Sequence, residues 1–266
     1  MQNPKSRITY VEVTETPDTK GSEEQLIRLY TRYKFASELC KDKDVLEVAC
    51  GAGQGLGYLA KYARSVVGGD IDEKNLDFVH KIYKSRNSIK ILYLNAHNLP
   101  FPDKNFDVVI LYEAIYYLQY PDRFIKEAKR VLRNGGVLII GTVNKDWDGF
   151  NPSPFSYKYF SAPELCNLLK DNSFTDIKLY GDCPVVEKTL KDKIISFIKQ
   201  FAVRFHLIPR TMKGKELFKR IFFGKLIPMP AVIEDGTVEY YSPPPISGDF
   251  PNLRYKVMLA VGCVKK

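Results

Sequence analysis

Val45-Leu46-Glu47-Val48-Ala49-Cys50-Gly51-Ala52-Gly53-Gln54-Gly55 runs from a β-branched apolar strand straight into a turn of small residues that opens a helix. Gly51 and Gly53 remove Cβ atoms where the backbone must bend sharply and come within contact distance of a bound molecule. The helix start behind them offers backbone N–H groups that its own turns do not use. Glycine-rich strand-to-helix turns serve many nucleotides, and some are only tight packing. The dinucleotide fingerprint needs glycines at positions one, three and six, and counted from Gly51 the sixth place is Leu56. A nicotinamide or flavin reading is demoted accordingly, and with no Lys-Ser or Lys-Thr after the glycines a P-loop is excluded.

Three further stretches sharpen the reading. Val66-Val67-Gly68-Gly69-Asp70-Ile71-Asp72 reads as a second strand ending in a carboxylate about 20 residues beyond the turn, where ribose hydroxyls lie in such folds. Leu94-Asn95-Ala96-His97-Asn98-Leu99-Pro100-Phe101-Pro102-Asp103 leads to the apolar run Phe106–Leu111, and Arg130-Val131-Leu132-Arg133-Asn134-Gly135-Gly136 leads to Val137–Ile140. Together these resemble the class I S-adenosylmethionine-dependent methyltransferases, in the type-11 domain branch that includes small-molecule and quinone methyltransferases. The resemblance covers Val45 to Leu179, about half the chain.

The resemblance implies S-adenosylmethionine as cofactor and a residue-by-residue site. Glu47, Ala49, Gly51 and Gly53 surround its methionine part, Asp70 binds the ribose, and Ile71 lies against the adenine. Asn95 and Ala96 sit at the adenine amino edge, and Leu111 and Glu113 border the methyl-transfer site. Ala49 stands where the family usually has its first glycine, a change tolerated if φ is negative. Asn95 replaces the usual acidic residue, and its amide carbonyl can still accept from the exocyclic amine. Asn134 replaces the proline before the paired glycines.

Alternation of apolar strands with helical periods gives a βαβ reading, hence an α/β fold with a mostly parallel sheet covered on both faces. A helix spans Glu23 to Cys40, and seven strands lie near Val45, Ser65, Ile89, Phe106, Val137, Thr175 and Tyr255–Cys263. The resemblance makes this a Rossmann-like sheet of order 3-2-1-4-5-7-6 with the last strand antiparallel. The expected organisation is an N-terminal segment and helix at 1–44, a methyltransferase core at 45–183, a basic insertion at 184–253 and a last core strand at 254–266.

At 266 residues and 45% hydrophobic content the chain can bury one large core or a core with a small second module. No stretch approaches the ~20 apolar residues of a membrane span, and no signal core follows Met1-Gln2-Asn3-Pro4-Lys5, so the expected location is cytoplasmic. Five scattered cysteines without C-x-x-C, beside three histidines, favour reduced thiols and no metal site.

The insertion carries the whole excess of charge. Between Lys188 and Pro228, eleven Lys or Arg face Asp192 and Glu216, a net of +9 that equals the whole-chain value. Ile194, Ile195, Ile198, Phe201, Ala202 and Phe205 recur at helical spacing with Lys191, Lys199 and Arg204 off that stripe. Three readings stand side by side. The first is an amphipathic lid with solvated lysines. The second is a peripheral membrane or lipid-linked substrate contact, and the third, ranked behind them, is a nucleic-acid surface.

An electrophilic sulfonium methyl needs an in-line nucleophile held about 3 to 3.5 Å away in a dry pocket. Candidates for a base are Glu113 and His97, each weighed against a plain structural role. Tyr112, Tyr116 and Tyr117 follow the fourth strand, and the turn-rich, aromatic stretch Asn144–Tyr157 fits a substrate loop. No N-P-P-Y or D-P-P-Y follows that strand, which removes the device that amino-group base and glutamine methyltransferases use. The expectation is O-methylation of a small molecule or glycan intermediate. An RNA methyltransferase and a non-catalytic cofactor-binding partner protein are the alternatives.

Overall fold

Helices cover both faces of the central sheet, which is why its parallel strands are mostly apolar. The computed structural model describes residues 14, 16, 17, 19–185 and 226–265. β1 (Lys20–Ser22) and α1 (Glu23–Cys40) precede β2 (Asp44–Val48), α2 (Leu56–Leu59), β3 (Ser65–Asp70), α3 (Glu73–Tyr83), β4 (Ile89–Tyr93) and β5 (Phe106–Tyr112). They are followed by α4 (Pro121–Val131), β6 (Leu132–Val143), α5 (Ala162–Asp171), β7 (Phe174–Pro184), β8 (Leu226–Pro228), β9 (Pro245–Ile246) and β10 (Tyr255–Val264). Helix starts follow local chemistry. Ser22 and Gln25 exchange side-chain and backbone bonds in a capping box at α1, and Ser161 and Glu164 do the same at α5.

The sheet order is β4-β3-β2-β5-β6-β10-β7-β9. Its first seven members stand in the expected order, with β10 antiparallel to both β6 and β7. The eighth strand corrects the expected count of seven. β9 adds to the edge of β7 through Leu179↔Ile246 and Tyr180↔Pro245, and Gly181 N–H donates to the Pro244 carbonyl at 2.9 Å. Prolines at 243–245 lack N–H donors, which suits an edge and keeps this strand short.

Side chains of β5 alternate between two cores. Val109 and Leu111 join Phe124, Phe160 and Leu165 beneath α4 and α5. Val108 and Ile110 join Leu29, Leu59 and Val79 beneath α1, α2 and α3. Asp44 and Asp107, at the amino ends of β2 and β5, are bridged by Arg64 and Arg133 at 2.5 to 3.2 Å.

The described end of the expected insertion is a strap across the first helices. β8 pairs antiparallel with β1 in a separate two-stranded sheet. Beyond it Met229 and Ile233 are buried. The Gln54 amide donates to the Pro230 carbonyl at 2.8 Å, Ile233 N–H donates to the Gln54 carbonyl at 3.1 Å, and the Tyr58 hydroxyl donates to Asp235 at 2.6 Å. The amphipathic stripe expected from Ile194 to Phe205, with its lysines, lies outside the described residues. Among the described residues no helix is long and apolar enough to cross a membrane, and no group of His, Cys, Asp and Glu is placed to hold a metal ion.

Candidate functional site

A cavity of about 370 Å³ opens at the carboxyl ends of β2, β3 and β5, where the order reverses about β2. It brings together Glu47, Ala49, Gly51, Asp70, Ile71, Asn95, Ala96, His97 and Glu113. Two of the expected residues are placed elsewhere. Leu111 is still inside β5 and is wholly buried in the core under α4 and α5. Gly53 turns toward α3, where a Cβ would lie 2.9 Å from Val79.

The turn after β2 is left-handed three times, at Ala49 (φ +56°), Gly51 (φ +56°) and Gly53 (φ +75°). The expectation of a negative φ at Ala49 is therefore overturned. The bend that the glycines make begins one residue earlier than they do, and alanine holds it at a steric cost of about 1–2 kcal/mol.

Asp70 ties this turn to β3. One carboxylate oxygen accepts from Gly51 N–H at 2.9 Å and the other from Asp72 N–H at 2.8 Å. Burial raises its pKa above the ordinary range, against these two bonds. Asn75, in the first turn of α3, is buried beside it with its amide nitrogen 3.4 Å from Asp70 and its side-chain carbonyl oxygen without a protein partner among the described residues.

Glu47 is 1% exposed. One of its oxygens accepts from the Tyr33 hydroxyl at 2.6 Å, and the other is buried with no hydrogen-bond partner in the protein. Burial pushes its pKa up to about 7, with the Tyr33 bond and Arg32 pulling the other way.

Glu113 is the first residue past β5 and is also left-handed, at φ +52°. Its N–H donates to the Gly141 carbonyl at 2.8 Å, and its carboxylate accepts from Arg28 at 3.1 Å and from the Tyr116 hydroxyl at 2.9 Å. At the other side of the cavity the side-chain carbonyl of Asn95 accepts from His97 N–H at 2.9 Å. His97 Nε2 accepts from Tyr120 N–H at 3.4 Å, and burial followed by the charge of Arg123 lowers the His97 pKa.

Arg28, Arg32, Tyr33, Gln54 and Asn75 also line the cavity and went unread in the sequence. The one available signal was the spacing in α1. Arg28 and Arg32 stand four apart, beside Leu29 and Tyr33 four apart, so one face of α1 carries both cations with apolar neighbours.

Sheet order, reversed last strand and a cavity over a glycine turn define the class I fold of nucleoside-cofactor methyltransferases. Residues 46–140, about a third of the chain, match the family described as methyltransferase domain. It is 34% identical over 155 residues to a probable S-adenosylmethionine-dependent methyltransferase of Mycobacterium tuberculosis, covering 56% of this chain and 55% of that protein. It is 28% identical to a fatty-acid O-methyltransferase of Mycolicibacterium smegmatis, over 74% of this chain and 59% of that one. The chain thus spans little more than half the length of these relatives. A possible histamine N-methyltransferase from Thermotoga maritima superposes with TM-score 0.58 at 19% identity, covering 91% of each chain, which is a likeness of fold.

The cavity fits the domain's cofactor, S-adenosylmethionine. A zwitterionic amino-acid end needs both signs of charge, and the cavity places Glu47, with its unpartnered oxygen, near Arg28 and Arg32. A ribose diol needs acceptors at the end of β3, where Asp70 and the unpartnered Asn75 carbonyl stand.

Proposed function

We propose that this chain transfers the methyl group of S-adenosylmethionine to a hydroxyl oxygen of a small molecule or glycan intermediate. The observation that carries the reading is the Glu113 carboxylate, held at the cavity wall by Arg28 and Tyr116. When bound, the cofactor supplies an electrophilic methyl. Glu113 would orient the acceptor O–H and take its proton as the methyl's bond to sulfur gives way to the new bond to oxygen and S-adenosylhomocysteine leaves, while Tyr116 and Tyr117 would wall off water around it. Glu47, Ala49 and Gly51 hold the methionine part, Asp70 with Asn75 the ribose, and Ile71, Asn95 and Ala96 the adenine.

An acceptor with an apolar portion, including a lipid-linked one, suits the rim of this cavity. Tyr120 is 56% exposed beside His97, and Tyr157, 45% exposed, donates its N–H to the Tyr116 carbonyl. The similarity to a fatty-acid O-methyltransferase supports an acceptor of that kind.

The test is incubation with methyl-labelled cofactor and fractionated extract, with Glu113→Gln alongside. Label is expected in a small, amphiphilic product, and turnover in the variant should fall about 10²-fold or more, as for loss of a general base. Label entering only RNA or protein sinks the reading.

A further inference from the structure

Tyr33, on α1, has a hydroxyl with one partner and a ring with a dedicated space. The hydroxyl donates to Glu47 at 2.6 Å in a wholly buried setting. The ring fills the place of a side chain at Gly55, where a Cβ would come within 2.1 Å of its carbons. It also packs edge-on against Tyr112, with centroids 5.4 Å apart. Gly55 is thus required by the tyrosine above it, since its own φ of −98° is open to any residue.

We propose that Tyr33 is a positioning residue that holds one Glu47 oxygen so that the other is kept ionised and available to the ammonium end of the cofactor. This rests on the reading of Glu47 as a methionine-side residue. A carboxylate alone in such a burial is driven toward its neutral acid, which offers an ammonium group no charge. A short bond from a hydroxyl stabilises the ionised form and leaves the second oxygen's lone pairs open.

The groups around Glu47 leave little else to perform this task. Arg32 on α1 is the nearby cation that favours ionisation, and Asp70 at the end of β3 opposes it. Cys40 on α1, Cys50 in the turn, Tyr83 on α3 and Tyr112 on β5 all feel Glu47, and burial raises each of them, so they stay neutral near pH 7. Tyr33 itself is raised well above its ordinary value by burial and then by Glu47, so it remains a donor.

The experiment is calorimetric titration with S-adenosylhomocysteine from pH 5.5 to 8, comparing the wild type with Tyr33→Phe and Glu47→Gln. Phenylalanine keeps the ring over Gly55 and removes only the hydroxyl. Wild-type affinity should rise with pH and level off above neutrality. The Tyr33→Phe curve should be displaced upward by about one pH unit, about tenfold weaker near pH 6.5 and converging toward the wild type at pH 8. Glu47→Gln should bind weakly with no such dependence. A Tyr33→Phe curve weakened by the same factor at every pH would mean a packing role and overturn the proposal. Should that variant not fold, equal affinities of the wild type and Glu47→Gln at every pH overturn it equally. Failure of the folded wild type to bind at any pH overturns the cofactor reading itself, and the positioning role with it.

Discussion

Ala49 shows how far a single residue can be read. The small-residue turn identified a ligand loop, and its two glycines are indeed left-handed, but so is the alanine before them. A φ sign is set by how the chain must leave β2 to reach α2, and alanine carries no mark of it. Left-handed alanine costs about 1–2 kcal/mol, whereas glycine there costs about 0.5–1 kcal/mol of unfolded-state entropy. Ala49→Gly is therefore expected to raise stability by up to about 1 kcal/mol, read as a later urea midpoint at unchanged slope. Spacing suggested a role for Asp70 and the family resemblance one for Glu47, but neither disclosed their partners. Tyr33 lies fourteen residues from Glu47, and Asp70 lies nineteen from Gly51.

At the scale of elements, periodicity located seven of the ten described strands and the helix Glu23–Cys40, because each buries a stripe or a face. What it left out is which strand ends are stitched together. Asp44 and Asp107 project from neighbouring strands and share Arg64 and Arg133. Hydrogen bonds from Arg64 above all hold the Asp44 carboxyl well below the usual carboxylate range. Its native pKa is depressed, so its contribution is complete above the unfolded value of about 4 and is lost as pH falls further. Asp44→Asn should then be less stable than the wild type at pH 7, with the gap narrowing below pH 4. Urea midpoints across that range check it, and a gap that stays constant with pH would exclude the ion-pair account.

Across the whole molecule, the described end of the insertion is bonded to the turn after β2 through Gln54. Ile233, in the strap, is fully buried, and its N–H donates to the Gln54 carbonyl in the turn itself. Ile233→Ala should cost about 2–5 kcal/mol of stability and weaken S-adenosylhomocysteine binding as well. Leu169→Ala, an equally buried change beneath α5 on the other face, should cost stability alone. Equal affinities for the two variants would show that the strap carries no influence on the loop.

The sequence by itself determined the α/β class, the positions of seven strands and the glycine turn, because these follow from side-chain period and backbone sterics over a few residues. Its resemblance to a known family supplied the strand order. Only the tertiary structure decided that α1 delivers Arg28, Arg32 and Tyr33 to the cavity, that Leu111 faces the core, and that a Pro-rich segment adds an eighth strand. These are contacts between residues far apart in the chain, and their energies depend on burial and distance, which no local pattern encodes.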